Sequence, residues 1–264
     1  MDTARRIISL TVDVEEFDTA LDYGYPLLLE EQIALSTSGL RPLMERLDEH
    51  WIPATLFTTA TYALNEWKLM RELGQFHEVA SHGFRHGSLG PGDLLASRLA
   101  LESVTNKPVV GFRRAQMGPV NERELREAGY RYNASLHPTW LPGRYNHLTK
   151  PRLPFQSGGI LHLPASVTPR LRIPLFWLSL KNFPFSLYCR LCVETLWANG
   201  HLNLYVHPWE FTDLSGFPRI PFYIRRHAGE PLLDRLDQLI HYLRPYGEFG
   251  TLQTLAQTIP ALTD

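Results

Sequence analysis

Cysteine is scarce in this sequence of 264 residues, since only Cys189 and Cys192 occur, spaced as C-x-x-C. A structural zinc site needs four ligands and no second pair is present, while a redox site requires a thioredoxin-like βαβ context. Apolar residues around the pair recur instead at helical spacing. The pattern therefore predicts two half-buried thiols on a helix, without a part in the chemistry.

Long apolar runs are also missing. No stretch of about eighteen uninterrupted apolar residues exists, so the sequence predicts no transmembrane helix. The N-terminus leads directly into the apolar stretch 7–12, which is too short for a signal peptide and has no small-residue cleavage site. We therefore expect a cytoplasmic protein, with peripheral association at the inner face of the membrane as an alternative.

Neither sign of charge dominates, since 26 Lys and Arg residues stand against 27 Asp and Glu residues. A balanced chain lacks the basic excess typical of general nucleic-acid binding, so we expect no nucleic-acid partner. Internal repeats, low-complexity tracts and interdomain linkers are absent from the sequence. Because 44% of the residues are hydrophobic, one core can be built, and we expect a single domain over residues 1–264.

Short apolar strands alternate with helical patterns along the chain, which is typical of parallel βα units. The predicted strands are 6–14, 54–59, 77–82, 108–113, 132–136, 160–165 and 202–207. The predicted apolar helix faces are Leu40, Leu43, Met44 and Leu47; Leu94, Leu95, Leu99 and Val104; and, after Pro231, Leu232, Leu233, Leu236, Leu239, Ile240 and Leu243. The pattern predicts an α/β fold whose helices cover a barrel-like sheet.

Two segments interrupt this alternation. Residues 137–159 are rich in Pro, Gly, Arg and aromatic residues and are too irregular for a regular element; a loop of this length usually shapes a substrate site. Residues 171–197 are an unusually apolar insertion, for which we predict a helical hairpin in the core. The alternatives for this insertion are the interface of a homo-oligomer and a patch that contacts the membrane surface.

Two histidines and an acidic cluster indicate a metal site. His82 and His86 follow the third predicted strand, and Asp13, Glu15 and Glu16 end the first. On one helical turn an i, i+4 pair points both rings the same way, and one carboxylate completes a two-His, one-carboxylate set with positions open for water. Because the carboxyl ends of parallel strands meet at one rim of an α/β barrel, the pattern predicts a hydrolytic metal centre.

Two further strand ends carry residues suited to acid–base chemistry. Arg113 ends the fourth predicted strand, where a guanidinium can hold a carboxylate in position through two parallel hydrogen bonds. His207 follows the last predicted strand, where an imidazole can be protonated near neutral pH and can donate a proton to a leaving amine. Each residue alone would be interpreted as structural. Their predicted position at the same rim as the other motifs indicates a catalytic role.

Five motifs together resemble a known family. They are T-V-D-V-E at 11–15, A-T-L-F at 54–57, H-G-F-R-H at 82–86, G-F-R at 111–113 and L-Y-V-H-P-W-E at 204–210. In order and spacing they are similar to the NodB-homology polysaccharide deacetylases, carbohydrate esterase family four. The resemblance implies a distorted (β/α) barrel of about seven strands, a divalent metal that is commonly zinc, and hydrolysis of N- or O-acetyl groups on sugars.

Roles follow from the resemblance residue by residue. It implies Asp13 as the general base, Arg113 as the residue that orients this base, and His207 as the general acid. It implies His82 and His86 as metal ligands.

The third metal ligand departs from the family's pattern, which has two adjacent aspartates, because Val14 follows Asp13 here. Strand alternation puts Asp13 and Glu15 on one face, so Glu15 is the predicted ligand. Branches similar to this chain, including peptidoglycan-deacetylase-like and cyclic-imidase-like enzymes, use an Asp-x-Asp arrangement. Glu16 is the ligand if the strand ends early, and a metal-free site is the remaining alternative.

A second departure concerns the partner of the general acid. Asn133 stands where many relatives have Asp, and a neutral amide cannot raise the pKa of His207. That role requires another acid, for which Glu210 is the candidate. Five further histidines have no convergent partners in the sequence and are expected to have only surface or packing roles: His50, His77, His147, His227 and His241.

The leading hypothesis is a metal-dependent hydrolase that removes an N-acetyl or related acyl group from a sugar in cell-envelope or surface-polysaccharide metabolism. Its substrate would be an acetylated sugar or a lipid-linked sugar. Trp140, Tyr145 and Trp209 are the predicted substrate contacts, since aromatic rings stack on a sugar face or on a flat heterocycle. The alternatives are a cyclic amide or imide hydrolase, a deformylase on the same site, and a non-catalytic carbohydrate-binding relative.

Overall fold

The structure, a computed structural model, describes residues 6–87 and 89–260. Its strands are β1 (Ile7–Val14), β2 (Thr55–Thr58), β3 (Glu78–Ser81), β4 (Gly111–Phe112), β5 (Tyr132–Asn133), β6 (Trp140–Leu141), β7 (Tyr145–Asn146), β8 (Phe155–Ser157), β9 (Ile160–His162), β10 (His201–Val206) and β11 (Glu248–Phe249). Its helices are α1 (Thr19–Asp22), α2 (Leu29–Glu49), α3 (Ala60–Asn65), α4 (Trp67–Leu73), α5 (Asp93–Thr105), α6 (Glu122–Glu127), α7 (Trp177–Asn182), α8 (Phe185–Asn199), α9 (Phe222–Arg225), α10 (Glu230–Leu243) and α11 (Leu252–Thr258). Two short 3₁₀ turns lie at Ala115–Met117 and Pro208–Phe211.

A curled, mostly parallel sheet forms the centre of the fold. Its strand order is β10-β1-β2-β3-β4-β5-β9-β8, and β11 pairs with the first residues of β1. The neighbours from β10 to β9 are all parallel, and β8 runs antiparallel to β9. The predicted α/β class and distorted barrel are confirmed, with the sheet forming a half-barrel. Parallel strands bring their carboxyl ends to one rim, where the predicted motifs lie.

Strand β1 lies between β10 and β2 in this sheet and is buried along its whole length. Residues Ile7–Val12 pair with His201–Val206 of β10, and the end of β1 pairs with β2. A strand covered on both faces is expected to be nearly continuous in apolar residues. Ser9, Thr11 and Asp13 depart from that pattern and lie on one face by strand alternation. These three polar side chains therefore mark the side of the sheet that carries the site.

Helix α10 buries its predicted apolar stripe completely. Its buried residues are Leu232, Leu233, Leu236, Leu239, Ile240 and Leu243. Pro231 lies in the first turn of α10, where no intrahelical amide donor is needed. The helix packs against α2 and α8 and covers one side of the sheet.

The predicted apolar face of α5 is wrong at two positions. Leu95 and Leu99 are 45% and 50% exposed. The buried stripe that begins at Leu94 continues through Ser97 and Leu101, at the three- and four-residue spacing of a helix. A serine can occupy this stripe because its hydroxyl hydrogen-bonds inside the core. Assigning every leucine to the interior therefore misidentified the buried face.

The segment 137–159 contains regular structure, contrary to the expectation of an irregular loop. Strands β6 and β7 form a short antiparallel hairpin, and β8 adds an edge strand to the main sheet. The hairpin turn is closed by a hydrogen bond of 3.0 Å from the Arg144 amide to the Leu141 carbonyl. Its third residue, Gly143, has φ of +79°, a conformation that glycine adopts without steric cost. Strands this short leave no periodic pattern in the sequence.

The apolar segment 171–197 contributes α7 and α8, and its buried side belongs to the core. The buried residues of α8 are Tyr188, Cys189, Cys192, Thr195 and Leu196. Helix α8 packs on β10 and α10, which agrees with the prediction of core helices. Both thiols are fully buried rather than half-buried, and burial raises the pKa of Cys189 to about 11. In the described parts of the chain, no helix combines the length and hydropathy needed to span a membrane.

Leu236→Ala in α10 is expected to lower the free energy of unfolding by about 2–5 kcal/mol, because it removes a fully packed side chain and leaves a cavity. Leu95→Ala in α5 is the matched control and should cost at most about 0.5 kcal/mol, since Leu95 is largely exposed. Urea denaturation followed by circular dichroism measures both values. Similar losses in the two variants would contradict the assignment of the helix faces.

Candidate active site

Side chains from several strand ends meet at the carboxyl rim of the sheet. The structure brings together all six residues predicted to carry the chemistry: Asp13 and Glu15 of the β1 end, His82 after β3, His86 in the following turn, Arg113 after β4, and His207 after β10. Five of them line a cavity of about 310 Å³, and Arg113 lies buried beneath it. The predicted convergence of these motifs is therefore present.

Glu15, His82 and His86 form a compact group that could hold a metal ion. The Glu15 Oε2 atom lies 3.2 Å from His82 Nε2 and 3.0 Å from His86 Nε2. One ligand atom from each residue lies within 4.8 Å of the other two. Glu16 points elsewhere, since its Oε2 accepts a hydrogen bond of 3.0 Å from Thr59 Oγ1. The geometry favours Glu15 over Glu16 as the carboxylate of this group.

Charge favours the same assignment. Burial alone would raise the pKa of Glu15, but His86 and His207 nearby outweigh it and hold this pKa well below its ordinary value. Burial also raises the pKa of Glu16, which has no such cationic neighbours in hydrogen-bond contact. Of these two carboxylates, Glu15 is therefore the one that ionises more readily, and a metal ligand must be ionised.

Both histidine rings are oriented by hydrogen bonds on the side away from Glu15. His82 Nδ1 donates to the carbonyl oxygen of Arg113 at 2.8 Å, and His86 Nδ1 donates to Asp18 Oδ2 at 2.6 Å. A ring that carries its proton on Nδ1 presents the Nε2 lone pair, which is the form that ligates a metal. Asp18 is absent from the residues predicted from the sequence. The signal available for it was its position in the acidic segment after β1.

The histidine pair does not lie on a helical turn, so that part of the prediction is wrong. After β3 the chain makes a turn at residues 82–87, in which Gly83 has φ of +92°. The amides of Ala60 and Thr61 donate to the carbonyls of Gly83 and Phe84 and fix this turn. The two rings stack with centroids 5.8 Å apart and planes at 23°. A glycine turn therefore brings about the convergence that a helix was expected to produce.

Arg113 is completely buried and holds Asp13 in position. Its NH1 donates to Asp13 Oδ1 at 2.6 Å and to Thr11 Oγ1 at 2.8 Å. Its other nitrogens donate to the Ala134 carbonyl and to Asn203 Oδ1, each at 3.3 Å. The carboxylate receives one hydrogen bond rather than the predicted parallel pair, because the remaining donors bind neighbouring strands. A buried guanidinium is tolerated only when its charge and donors are satisfied in this way.

His207 lies between two carboxylates. Its Nδ1 and its backbone amide both donate to Glu210 Oε1, at 2.6 and 2.9 Å, and its Nε2 lies 3.9 Å from Asp13 Oδ2. Burial alone would lower the pKa of His207, but Glu15, Glu210 and Asp13 outweigh it and raise this pKa above its ordinary value. Glu210 therefore contacts His207 in the way proposed to compensate for Asn133.

A buried lysine from α7 lies behind this pair. Lys181 Nζ donates to the Ile224 carbonyl at 2.9 Å and lies 3.7 Å from Glu210 Oε2. Within the described ranges that carboxylate oxygen has no hydrogen-bond partner, so the lysine charge is its nearest compensation. Burial lowers the pKa of Lys181, and Glu210 opposes this shift. The apolar segment 171–197 thus contributes one residue of the site, Lys181, which its apolar composition did not indicate.

The three predicted aromatic contacts have different surroundings. Tyr145 and Trp209 both line the cavity. Trp209 is buried, stacks on His207 with ring planes at 20°, and donates from Nε1 to Glu15 Oε1 at 3.3 Å. Because it is only 2% exposed, Trp209 offers little surface for stacking on a substrate. Trp140 is 58% exposed, and the described residues that line the cavity do not include it.

A second cavity of about 600 Å³ adjoins the first. The residues that line both cavities are Asp22, His82, Gln116, Met117, Arg144 and Tyr145. The 3₁₀ turn after Arg113 and the β6–β7 hairpin form parts of its wall. The predicted involvement of 137–159 in shaping the site thus agrees with the position of this hairpin. We call the larger cavity the outer groove.

The expectation that His50 and His241 have no convergent partners is wrong. Both meet Asp237, at 2.6 Å from His50 Nε2 to Oδ1 and 3.7 Å from His241 Nδ1 to Oδ2. Their ligand atoms are close enough to hold a metal ion, yet Arg46 NH1 also lies 3.6 Å from Asp237 Oδ1. We interpret the group as a polar contact between α2 and α10, two helices far apart in sequence.

Glu210→Gln is expected to lower the pKa of the His207 imidazole, because the variant removes the carboxylate charge 2.6 Å from Nδ1. NMR titration of the His207 ring resonances measures this pKa. Glu122→Gln is the control, since Glu122 lies 3.0 Å from His162 and outside the site. An unchanged His207 pKa in Glu210→Gln would show that Glu210 does not control the charge of this ring.

No family model and no curated protein matches the sequence. Solved structures do match it. A protein from Mycobacterium smegmatis described as a polysaccharide deacetylase is 17% identical, with a TM-score of 0.67 over 100% of this chain and 96% of the other. A protein from Pseudomonas aeruginosa PAO1, also described as a polysaccharide deacetylase, is 16% identical, with a TM-score of 0.65 over 98% and 92%. The PuuE allantoinase is 16% identical, with a TM-score of 0.67 over 98% and 91%. The chain therefore has the NodB-homology fold of the polysaccharide deacetylases of carbohydrate esterase family four.

Proposed function

We propose that the protein is a metal-dependent hydrolase that removes an N-acetyl or related acyl group from a sugar. The observation that carries this proposal is that one cavity contains both a two-His, one-carboxylate group and a separate acid–base pair, Asp13 and His207. Hydrolysis of an amide needs both a polarised carbonyl with an activated water and a proton donor for the leaving nitrogen. The similarity to structures described as polysaccharide deacetylases supports the same reaction.

Glu15, His82 and His86 fit a divalent metal such as zinc. Two imidazole nitrogens and one carboxylate oxygen are a ligand set that leaves positions open for water and substrate. The outer hydrogen bonds from the rings to Asp18 and to the Arg113 carbonyl fix both tautomers, as metal-binding histidines usually require. When bound, the metal supplies activation of water and polarisation of the acyl carbonyl.

Asp13 is the proposed general base. Arg113 holds its Oδ1, so Oδ2 is the oxygen that can accept the proton of the attacking water. His207 is the proposed general acid, and it donates the Nε2 proton to the sugar nitrogen as the C–N bond breaks. The Nδ1–H bond to Glu210 orients the ring and stabilises its charged form before the transfer.

Glu210 and Lys181 act as positioning residues for this acid. Glu210 is fully buried, and an ionised carboxylate in that place needs a nearby cation. Lys181 supplies one on the side opposite to His207. Glu210 therefore favours the protonated form of His207, which a general acid for a leaving amine requires.

An extended sugar is favoured over a small compact substrate. The cavity of about 310 Å³ continues into the outer groove of about 600 Å³, so sugar units beside the reacting one have room to bind. The exposed aromatic residues Phe222 and Tyr223 of α9 lie near the cavity, which Tyr223 lines. They favour a lipid-linked sugar of the cell envelope, handled at the inner face of the membrane.

A cyclic amide hydrolase is the second candidate. The PuuE allantoinase matches the fold as well as the first deacetylase does, with the same TM-score of 0.67. Opening a cyclic amide uses the same base, acid and polarised carbonyl. The outer groove has no evident role with such a small ring, which makes the sugar the first choice.

After reconstitution, the wild type is expected to retain about one zinc ion per chain. Glu15→Gln and His86→Gln are each expected to abolish this binding, because each removes one metal ligand. Asp18→Asn should weaken the affinity about 10- to 100-fold, because it removes the acceptor that orients His86. Elemental analysis and metal titration measure these effects. Glu16→Gln and His241→Gln are controls that should keep the metal.

Retention of the metal in Glu15→Gln together with its loss in Glu16→Gln would identify Glu16 as the ligand. No metal in any variant or in the wild type would contradict the proposed centre and favour a non-catalytic binding protein.

Asp13→Asn and His207→Gln are each expected to lower kcat at least about 100-fold on an N-acetylated oligosaccharide, because each removes one proton-transfer group. Release of acetate measures the rate. Asp48→Asn, which changes an exposed carboxylate outside the cavity, should leave the rate unchanged.

A soluble chito-oligosaccharide and a lipid-linked N-acetylated sugar are compared by acetate release, and opening of the hydantoin ring is followed by the formation of N-carbamoylglycine. Faster turnover of the lipid-linked sugar supports the membrane-face substrate. Turnover of hydantoin alone would replace the deacetylase proposal by the second candidate.

A further inference from the structure

Two arginines without acidic partners line the outer groove. Arg114 and Arg144 both belong to its wall, and among the described residues neither guanidinium forms an ion pair or a side-chain hydrogen bond. Arg113, one residue earlier, has its donors bound to four neighbouring residues. Unpaired guanidinium groups that face a cavity are available to a ligand, and their planar fork matches the oxygens of phosphate and carboxylate.

The position of Arg114 is fixed by its surroundings. Its backbone amide donates to Ser135 Oγ at 2.8 Å. Its side chain runs over Gly118, where an added Cβ would lie only 3.0 Å from Arg114 Nε. The absence of a side chain at Gly118 therefore gives the Arg114 stem its path across the turn.

The turn that carries Arg114 is held in an unfavourable conformation. Gln116 and Met117 have φ of 57° and 54°, a region that residues other than glycine rarely adopt. Met117 is buried against Phe176 and Tyr205, which anchors the turn. Strained backbone of this kind is found where the surrounding structure fixes a functional site.

Arg144 comes from a different element, the tip of the β6–β7 hairpin. Its amide closes the turn on Leu141, and the left-handed Gly143 precedes it. Arg144 lines both the cavity and the outer groove, so it lies at the junction between them. A ligand group that extends from the cavity into the outer groove would pass this residue.

The cavity of about 310 Å³, here called the inner cavity, and the outer groove differ in the charge of their lining residues. The inner cavity is lined by Asp13, Glu15, Asp18 and Asp22, whereas Asp22 is the one acidic side chain among the described residues of the outer groove. A neutral sugar chain would need polar and aromatic contacts there but no unpaired positive charge. A substrate with an anionic group beside the acylated unit would neutralise the guanidinium groups.

We propose that the outer groove is an anion subsite, in which Arg114 and Arg144 bind a phosphate or carboxylate group of the sugar substrate. This inference rests on the proposed function for its biological meaning. The groove is then the part of the site that selects anionic sugars over neutral ones, because each guanidinium forms charge-assisted hydrogen bonds only with the former.

Binding without turnover tests the subsite directly. The purified, zinc-loaded protein is titrated at low ionic strength with glucose 1-phosphate, with methyl glucuronoside and with neutral methyl glucoside, by isothermal calorimetry. One anionic glycoside should bind more tightly than the neutral one. Arg114→Gln and Arg144→Gln should each weaken this binding about 10-fold or more, while Arg123→Gln, an exposed arginine on α6, should not.

Tighter binding of glucose 1-phosphate would identify phosphate as the anionic group that the groove binds. Tighter binding of the glucuronoside would identify it as the carboxylate of a uronate. Equal binding of all three glycosides, or unchanged anion binding in both arginine variants, would overturn the inference. Gly118→Ala gives an independent variant that displaces the Arg114 side chain without changing any charge, and it should weaken anion binding as well.

Turnover separates this inference from the proposed function. If the enzyme deacetylates neutral oligosaccharides and the arginine variants bind anions as the wild type does, the subsite is wrong and the function stands. If no acetylated sugar is turned over but anion binding is lost in the arginine variants, the subsite stands and the function is wrong. With both correct, the variants lower kcat/KM on an anionic N-acetylated sugar about 10-fold, a larger factor than on the neutral one.

Discussion

The site depends on the burial of one guanidinium. Arg113, completely excluded from water, binds Asp13, Thr11 and Asn203 through its side chain, and its carbonyl oxygen orients His82. One residue therefore connects the base to a metal-ligand candidate across three strands. Removal of a single partner from such a buried charge costs about 3–5 kcal/mol, so these residues have to occupy the site together.

Other charged residues around the site are also paired with groups of opposite charge. Glu210 lies between His207 and the buried Lys181, and Asp18 accepts a hydrogen bond from the ring of His86. Each buried charge has a partner on another element, since an isolated charge in the interior would be too costly. The apolar segment with α7 and α8 therefore does more than cover the sheet, because it supplies the cation behind the acid.

The sequence predicted elements and motifs that depend on local pattern. Seven of the strands lie where short apolar runs between helical patterns predict them, because a buried parallel strand is apolar along its length. The short strands β6, β7, β8 and β11 were not predicted, since two or three residues show no period. The face of α5 was misassigned because Ser97 satisfies its hydroxyl in the core while Leu95 remains exposed. Three solved structures with this fold share only 16–17% identity with the chain.

What the sequence alone determined is the set of reactive groups at the strand ends, since parallel strands of an α/β fold must deliver their carboxyl ends to one rim. Tertiary structure decided which of these groups touch. Glu15 rather than Glu16 faces the histidines, and Asp18 and Lys181 joined the site through contacts between distant segments. The outer groove with Arg114 and Arg144 also exists only in the folded chain, because side-chain direction and cavity shape depend on packing that no local pattern encodes.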